Sequence, residues 1–248
     1  TQSRSSAASD VYKRQVITVP VDDELEAPRA DTDPAEAAAT VGLGSQAYEA
    51  LLDLIFSREL KQGDQIQERA LATRLGISRT PLREAMHRLE GERILERKSN
   101  NRLFVRLVTL QEIMETLHVR RLLESEAAAR SAGKVPGDRL QALRTRIETL
   151  MALGDPAHPE HQRLDAELHG VISEYCDNQL LADMIAELRR KTRMFSLKRL
   201  DNRMAPVCFE HMAMIAALER GDAQAAAAET ARHIDNIRQS IIDKLTSY

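Results

Sequence analysis

QERALATRLGISRTPLREAMHRLE, residues 67–90, decides the fold. Leu71, Ala72, Leu75 and Ile77 form an apolar set, and Gly76 stands where a sharp turn needs a residue free of Cβ. Ser78 follows in the position of a helix N-cap. Pro81 is tolerated only in the first turn of a helix, so it marks where the second helix begins. Arg79 and Arg83 lie i, i+4 on one face of those opening turns. Two short helices joined by a tight turn, the second opening on arginines, follow the helix-turn-helix plan. In that plan the second helix enters the DNA major groove by its N-terminal residues. Arginine there makes a bidentate contact with guanine O6/N7 or clamps a phosphate. An arginine pair alone would equally describe a solvated helix of a bundle; the order of core residues, turn glycine, cap and arginines favours DNA.

Downstream, ILERKSNNRLFVRLV reads as two short strands around Ser99-Asn100-Asn101, because asparagine tolerates left-handed turn geometry. Helix-turn-helix plus hairpin is a winged helix. Upstream, a helix is expected from Ser45, with Ala47, Leu51, Leu54, Ile55 and Phe56 on its apolar side, and LKQGDQI is a turn. Charge follows the same division. Lys61 to Arg106 holds eleven Lys/Arg against six Asp/Glu, whereas residues 107–248 hold 19 basic and 21 acidic side chains. The net charge of -3 thus conceals a basic surplus on the winged helix, the electrostatic footprint of a DNA-binding module.

Thr109-Leu-Gln-Glu112 is a capping-box start, and the pattern is helical from there to the end. Helices are expected over about 109–132, 136–153, 160–176, 178–200, 206–220 and 222–246, enough for one antiparallel bundle. The fold class is therefore mainly α. A winged helix-turn-helix is expected over 45–107 and an all-α bundle over 108–248. Residues 1–44, dominated by Asp, Glu, Ala and Pro, are expected to be disordered, and residues 1–15 resemble translated sequencing adapter.

The 248 residues leave room for two domains, and 43% hydrophobic content is enough for buried cores. Aromatics are only 3% and Trp is absent, so aliphatic residues and methionine must fill them. No apolar run approaches the ~18 residues of a membrane span, and no secretory h-region appears at the N-terminus. Cys176 and Cys208 are the only cysteines and lack metal-type spacing, so a reducing cytoplasm is the simple inference.

The helical half carries a second signal. In RLDAELHGVISEYC, Asp165 and His169 are i, i+4 partners, and Ile172 and Cys176 continue their stripe. His211 shares a stripe with Val207, Cys208, Ile215 and Leu218, and His233 shares one with Ile237 and Ile241. Three histidines and an aspartate thus lie on core-facing stripes of three helices. A buried carboxylate needs a partner, and imidazoles with a carboxylate are good ligands for divalent transition metals. Spacing alone is equally compatible with a buried polar network. His87, on the recognition helix, and His158 and His161, beside a Pro-containing loop, are poorer candidates; His118 could line a cavity. Arg120 and Glu124 are i, i+4, readable as an ion pair or as an arginine awaiting a ligand carboxylate.

Together the two halves resemble the GntR family of bacterial transcription regulators, the C-terminal half being similar to the FCD type, named for the FadR C-terminal domain. The stretches that carry the resemblance are AYEALLDLIFSREL, QGDQIQERALATRLGISRTPLREAMHRLE and NNRLFV, then VRRLLESEAA, DAELHGVISEYCDN, EHMAMIAALERGDAQAA and the late His233. The resemblance implies a dimeric repressor or activator on palindromic DNA, with a winged helix and an all-α ligand domain. It places Arg69, Arg79 and Arg83 among DNA-contacting positions, with Ser78 and Thr80 beside them. It makes Asp165, His169, His211 and His233 metal ligands, with zinc as the usual ion and nickel or manganese as alternatives. Arg120 matches an arginine facing the effector, typically a small organic acid whose carboxylate also touches the metal. One departure matters: the family wing commonly reads asparagine-arginine-glycine, but Asn101-Arg102 is followed by Leu103. Retention of all four ligand positions argues against the fatty-acyl-CoA branch, which lacks the metal.

The expected protein is a ligand-responsive DNA-binding regulator, not an enzyme. Two rivals remain open at the level of sequence. One is a metal-dependent hydrolase with metal-activated water, which would leave the winged helix unused. The other is a constitutive DNA-binding protein whose metal is purely structural.

Overall fold

The structure, a computed structural model, describes residues 34–156, 158–195 and 203–246. The chain divides into two compact units, Thr1–Ala38 and Ala39–Tyr248, and every core and site described below lies in the second. Element order is α1 (Pro34–Phe56), α2 (Glu68–Leu75), α3 (Arg79–Gly91), β1 (Leu95–Arg97), β2 (Leu103–Val105), α4 (Leu110–Ser131), α5 (Gly137–Leu153), α6 (Glu160–Glu174), α7 (Gln179–Phe195), α8 (Met204–Glu219) and α9 (Ala223–Thr246). Helix α1 starts ahead of the expected Ser45, and residues 1–33 of the segment expected to be disordered lie outside the described residues. The expected extension of α7 to residue 200 also falls outside them.

Gly76 ends α2 in the left-handed conformation, φ 66° and ψ 27°, which a side chain with Cβ rarely adopts. The chain is thereby turned into α3, with Ser78 extended at its N-cap position (φ -70°, ψ 163°). Ser78 makes no side-chain cap hydrogen bond, so position and hydroxyl role part company there. Leu71 of α2 and Pro81, Leu82, Ala85 and Leu89 of α3 turn inward. Leu71, Leu82, Ala85 and Leu89 join Leu51, Ile55, Ile94, Leu95 and Val105 in one core. Burying each leucine, isoleucine or valine of this set contributes roughly 1.5–3 kcal/mol.

The hairpin pairs β1 and β2 antiparallel, with Leu95 opposite Val105 and Arg97 opposite Leu103. Residues 63–66 run along the other edge of β2: Gly63 N–H donates to Val105 O and Ile66 N–H to Leu103 O. Leu103, where the family wing commonly carries glycine, lies past the wing tip. It is the first residue of β2, only 4% exposed, and belongs to the winged-helix core. The left-handed tip position belongs to Asn101 (φ 60°), and Asn100 Oδ1 accepts from the Arg102 N–H.

The capping box at Thr109 forms as expected. Thr109 Oγ1 accepts from Glu112 N–H at 3.2 Å, and a Glu112 carboxylate oxygen accepts from Thr109 N–H at 3.0 Å. From there α4 packs along α9 and α7. Ile113 and Leu117 of α4 meet Ile234, Ile237 and Ile241 of α9. Leu140, Ile147, Leu164, Leu168, Ile185 and Ile215 anchor the larger bundle core. The loop after α4 meets the loop after α8 backbone to backbone. A Cβ on Gly133 would lie 3.3 Å from Gly221 Cα, and both glycines have positive φ.

Candidate functional site

The inward stripes of α6, α8 and α9 bring Asp165, His169, His211 and His233 to one point. Each offers one ligand atom, and these four atoms lie within 4.8 Å of one another. All three imidazoles are buried; Asp165 is half-buried. The three Nε2 atoms converge on Asp165 Oδ1, at 3.8 Å from His169, 3.4 Å from His211 and 3.9 Å from His233. The 3.4 Å approach lies within charge-attraction range but lacks hydrogen-bond alignment. All three Nε2 atoms are buried without a hydrogen-bond partner. Buried polar atoms are ordinarily satisfied, and three orphaned nitrogens aimed at one carboxylate oxygen are the donor set of a divalent transition-metal site. The residues present therefore fit a metal.

A shell of charge surrounds this cluster. His169 Nδ1 is 2.5 Å from Glu124 Oε2, and His233 Nδ1 is 2.8 Å from Glu210 Oε2. Arg189 of α7 donates from Nη2 to Asp165 Oδ2 at 2.5 Å and from Nη1 to Glu124 Oε2 at 3.3 Å. Arg120 donates to Glu124 Oε1 at 2.6 Å, and both side chains are nearly inaccessible. Glu210 also accepts from Arg203 at 2.6 Å and from Asn236 at 2.7 Å.

These contacts set protonation. Burial opposes charge on Asp165, but Arg189 and the neighbouring histidines hold its carboxyl well below the usual range. Burial likewise opposes charge on Glu124, and Arg120, His169 and Arg189 outweigh it, leaving its pKa far below normal. Burial and then Arg189 push the His169 imidazolium down to about 3, so its neutral ring has a lone pair to give. Burial lowers His233 as well. Both Asp165 Oδ2 and Glu124 Oε2 are occupied by Arg189, so neither stands free as a general base beside the cluster.

Sequence reasoning placed the four-residue cluster but missed Arg189, Glu210, Arg203 and Asn236. Arg189 carried a readable signal: it falls i+4 from Ile185 and i+8 from Leu181, both buried, so an arginine sits on an apolar stripe. His118 and His87 are exposed. His161 lies beside Cys208, its Nδ1 3.8 Å from Sγ, outside the cluster.

On the winged helix, Arg69, Ser78, Arg79, Thr80 and Arg83 are all exposed. Arg83 Nε donates to Glu68 Oε2 at 2.9 Å, linking α3 to α2. Among the described residues Arg69 and Arg79 have no ion-pair partner.

A winged helix with exposed arginines at its recognition helix, joined to an all-α domain, defines a DNA-binding transcriptional regulator. Residues 43–105 match the family model for bacterial regulatory proteins of the gntR family, and residues 115–236 match the FCD domain. The chain belongs to the GntR family, with an FCD domain at its C-terminal side. Its fold is similar to that of E. coli McbR/YncC, with a TM-score of 0.71 and 22% identity over 83% of this chain and 98% of that one. It is also similar to a GntR protein from Rhodococcus sp. RHA1, with a TM-score of 0.63 and 18% identity over 85% of this chain and 99% of that one. No curated protein matches. No helix among the described residues is long and apolar enough to cross a membrane.

Proposed function

We propose that this regulator senses a small carboxylate metabolite at a metal held by Asp165, His169, His211 and His233. The observation that carries this reading is the convergence of three buried, unpartnered histidine Nε2 atoms on one aspartate oxygen. Zinc suits three imidazoles and a carboxylate; nickel and manganese are the alternatives. When bound, the metal supplies a Lewis-acidic position for an effector carboxylate. The chain's own contribution is charge. Arg120 and Arg189 stand beside the cluster, and Arg120 is the residue assigned to the effector's carboxylate.

Residues 45–107 act as the DNA-binding module and 108–248 as the metal, effector and dimerisation module. Arg69, Ser78, Arg79, Thr80 and Arg83 face the DNA. A homodimer in the cytoplasm sets two recognition helices on a palindromic operator, and the effector changes affinity only by its differential affinity for two arrangements.

A thermal-shift panel of small organic acids on zinc-loaded and chelator-treated protein tests the reading. An acid that stabilises only the zinc-loaded form is the expected result. Equal shifts in both forms would sink the role of the metal. No shift with any acid would favour a constitutive DNA-binding protein with a structural metal.

A further inference from the structure

We propose that α7 is the strut through which occupancy of the metal cluster reaches the recognition helix, with Arg190 as its positioning residue. This rests on the metal reading above and names how that site is read out.

Consecutive residues of α7 diverge by about 100° around the helix axis, and Arg189 and Arg190 use that divergence to grip two different parts of the molecule. Arg189 holds Asp165 Oδ2 and Glu124, at the metal cluster. Arg190 Nε stands 3.2 Å from Glu92 Oε2, an ion pair off hydrogen-bond alignment. Glu92 is the C-cap residue of α3. Its carboxylate also accepts from Tyr48 Oη of α1 at 2.6 Å and from Arg88 of α3 at 3.1 Å. One turn further along, Met194 is buried in the winged-helix core, and its carbonyl accepts from Gln62 Nε2 at 2.7 Å. Between them, the Arg193 guanidinium lies 4.0 Å from the centre of the Phe56 ring. Residues 189–194 therefore tie a ligand carboxylate at one end to α1, α3 and the turn after α1 at the other.

The connection through residues 106–109 is one tie between the winged helix and the bundle: Val108 N–H donates to Gln62 Oε1 at 3.5 Å, and Arg106 pairs with Glu112 of α4. Residues 189–194 of α7 are a second tie. Asp165 offers one oxygen to the cluster and the other to Arg189, so a cation that draws Oδ1 inward also relocates the partner of Arg189. Packed helices respond to such a change by shifting as units, not by local deformation. The expected consequence is a displaced α7 end and an altered seat for the C-terminal turn of α3.

Hydrogen exchange on the full chain, with and without zinc alone as probe, tests this. In the unmodified protein, zinc should change protection in the last turns of α3 and α7 by about fivefold or more, the size of an ordinary coupling. Arg190→Ala should bind zinc with the same stoichiometry and show the same change in α6, α8 and α9, yet lose most of the change in α3. Arg190→Lys, which keeps the charge, should recover part of it. Zinc bound with α3 unaffected in the unmodified protein would overturn the strut while leaving the metal site intact, as would a full α3 response in Arg190→Ala. Failure of the unmodified protein to bind zinc would overturn the metal reading and the strut together.

Discussion

His233 Nδ1 stands 2.8 Å from Glu210 Oε2, and that contact decides which nitrogen of the imidazole is free. Burial pushes the Glu210 carboxyl up, but His233, Arg203 and Asn236 outweigh it and hold its pKa at about 2. An ionised carboxylate only accepts, so Nδ1 carries the proton and Nε2 turns a bare lone pair toward Asp165. Glu124 does the same for His169. Two of the three imidazoles are thus oriented, and their tautomer chosen, by carboxylates behind them.

Glu210→Ala should therefore weaken zinc binding by roughly 10–100-fold, the usual effect of losing such a supporting carboxylate. Competition against a fluorescent chelator measures it. Glu210→Gln keeps an acceptor oxygen for Nδ1 and should lose less. An unchanged affinity in Glu210→Ala would show that His233 does not need Glu210 to present Nε2.

Arg79 is exposed at the first position of α3 and has no ion-pair partner among the described residues. Arg79→Ala should weaken operator binding by several-fold or more, since a bidentate base contact is worth about 1–3 kcal/mol. Fluorescence anisotropy at matched salt is the check. Equal affinities would remove Arg79 from the interface.

Glu112 closes the capping box at the start of α4. The Thr109 N–H and the Arg106 guanidinium lower its pKa against a smaller opposing effect of burial. An acid whose pKa is lower in the folded chain stabilises that chain above its unfolded value and loses the contribution as pH falls through the folded one. Wild type should melt above Glu112→Gln at pH 7, and the gap should close as pH drops below 4.5, the unperturbed value. A gap that stays constant in acid would contradict the ionised capping box.

Leu82 is fully buried in the winged-helix core. Leu82→Ala should cost about 2–5 kcal/mol through lost burial and the cavity left behind. Denaturant unfolding followed by circular dichroism reads it; a loss well under 1 kcal/mol would mean that this core closes around the gap.

The local features were legible in the chain because each is set by a few neighbouring residues. Gly76 gives the turn, Thr109 and Glu112 give the cap, and Asn101 gives the left-handed wing position. The four-residue cluster was half legible. A stripe through Asp165 and His169 says that a face points inward, and likewise for His211 and His233, but not that the three faces meet. Arg189 and Glu210 escaped for the same reason: their partners lie on other helices, at separations of 24 and 23 residues, that no periodicity encodes. Leu103 departs from the family's glycine without disturbing the wing, because it lies in β2 and not at the turn. The pleat of β2, which buries that side chain opposite Arg97, decides its role. Ser78 shows the opposite limit: the position is that of an N-cap, but its hydroxyl makes no cap bond.

We propose that Asp165, His169, His211 and His233 together hold one divalent ion. Equilibrium dialysis of chelator-stripped full chain against zinc, followed by elemental analysis, tests it most directly, with His169→Ala alongside. One zinc per chain in the unmodified protein and a large loss in His169→Ala is the expected result. Full occupancy in His169→Ala, or no bound zinc in the unmodified protein, would contradict it.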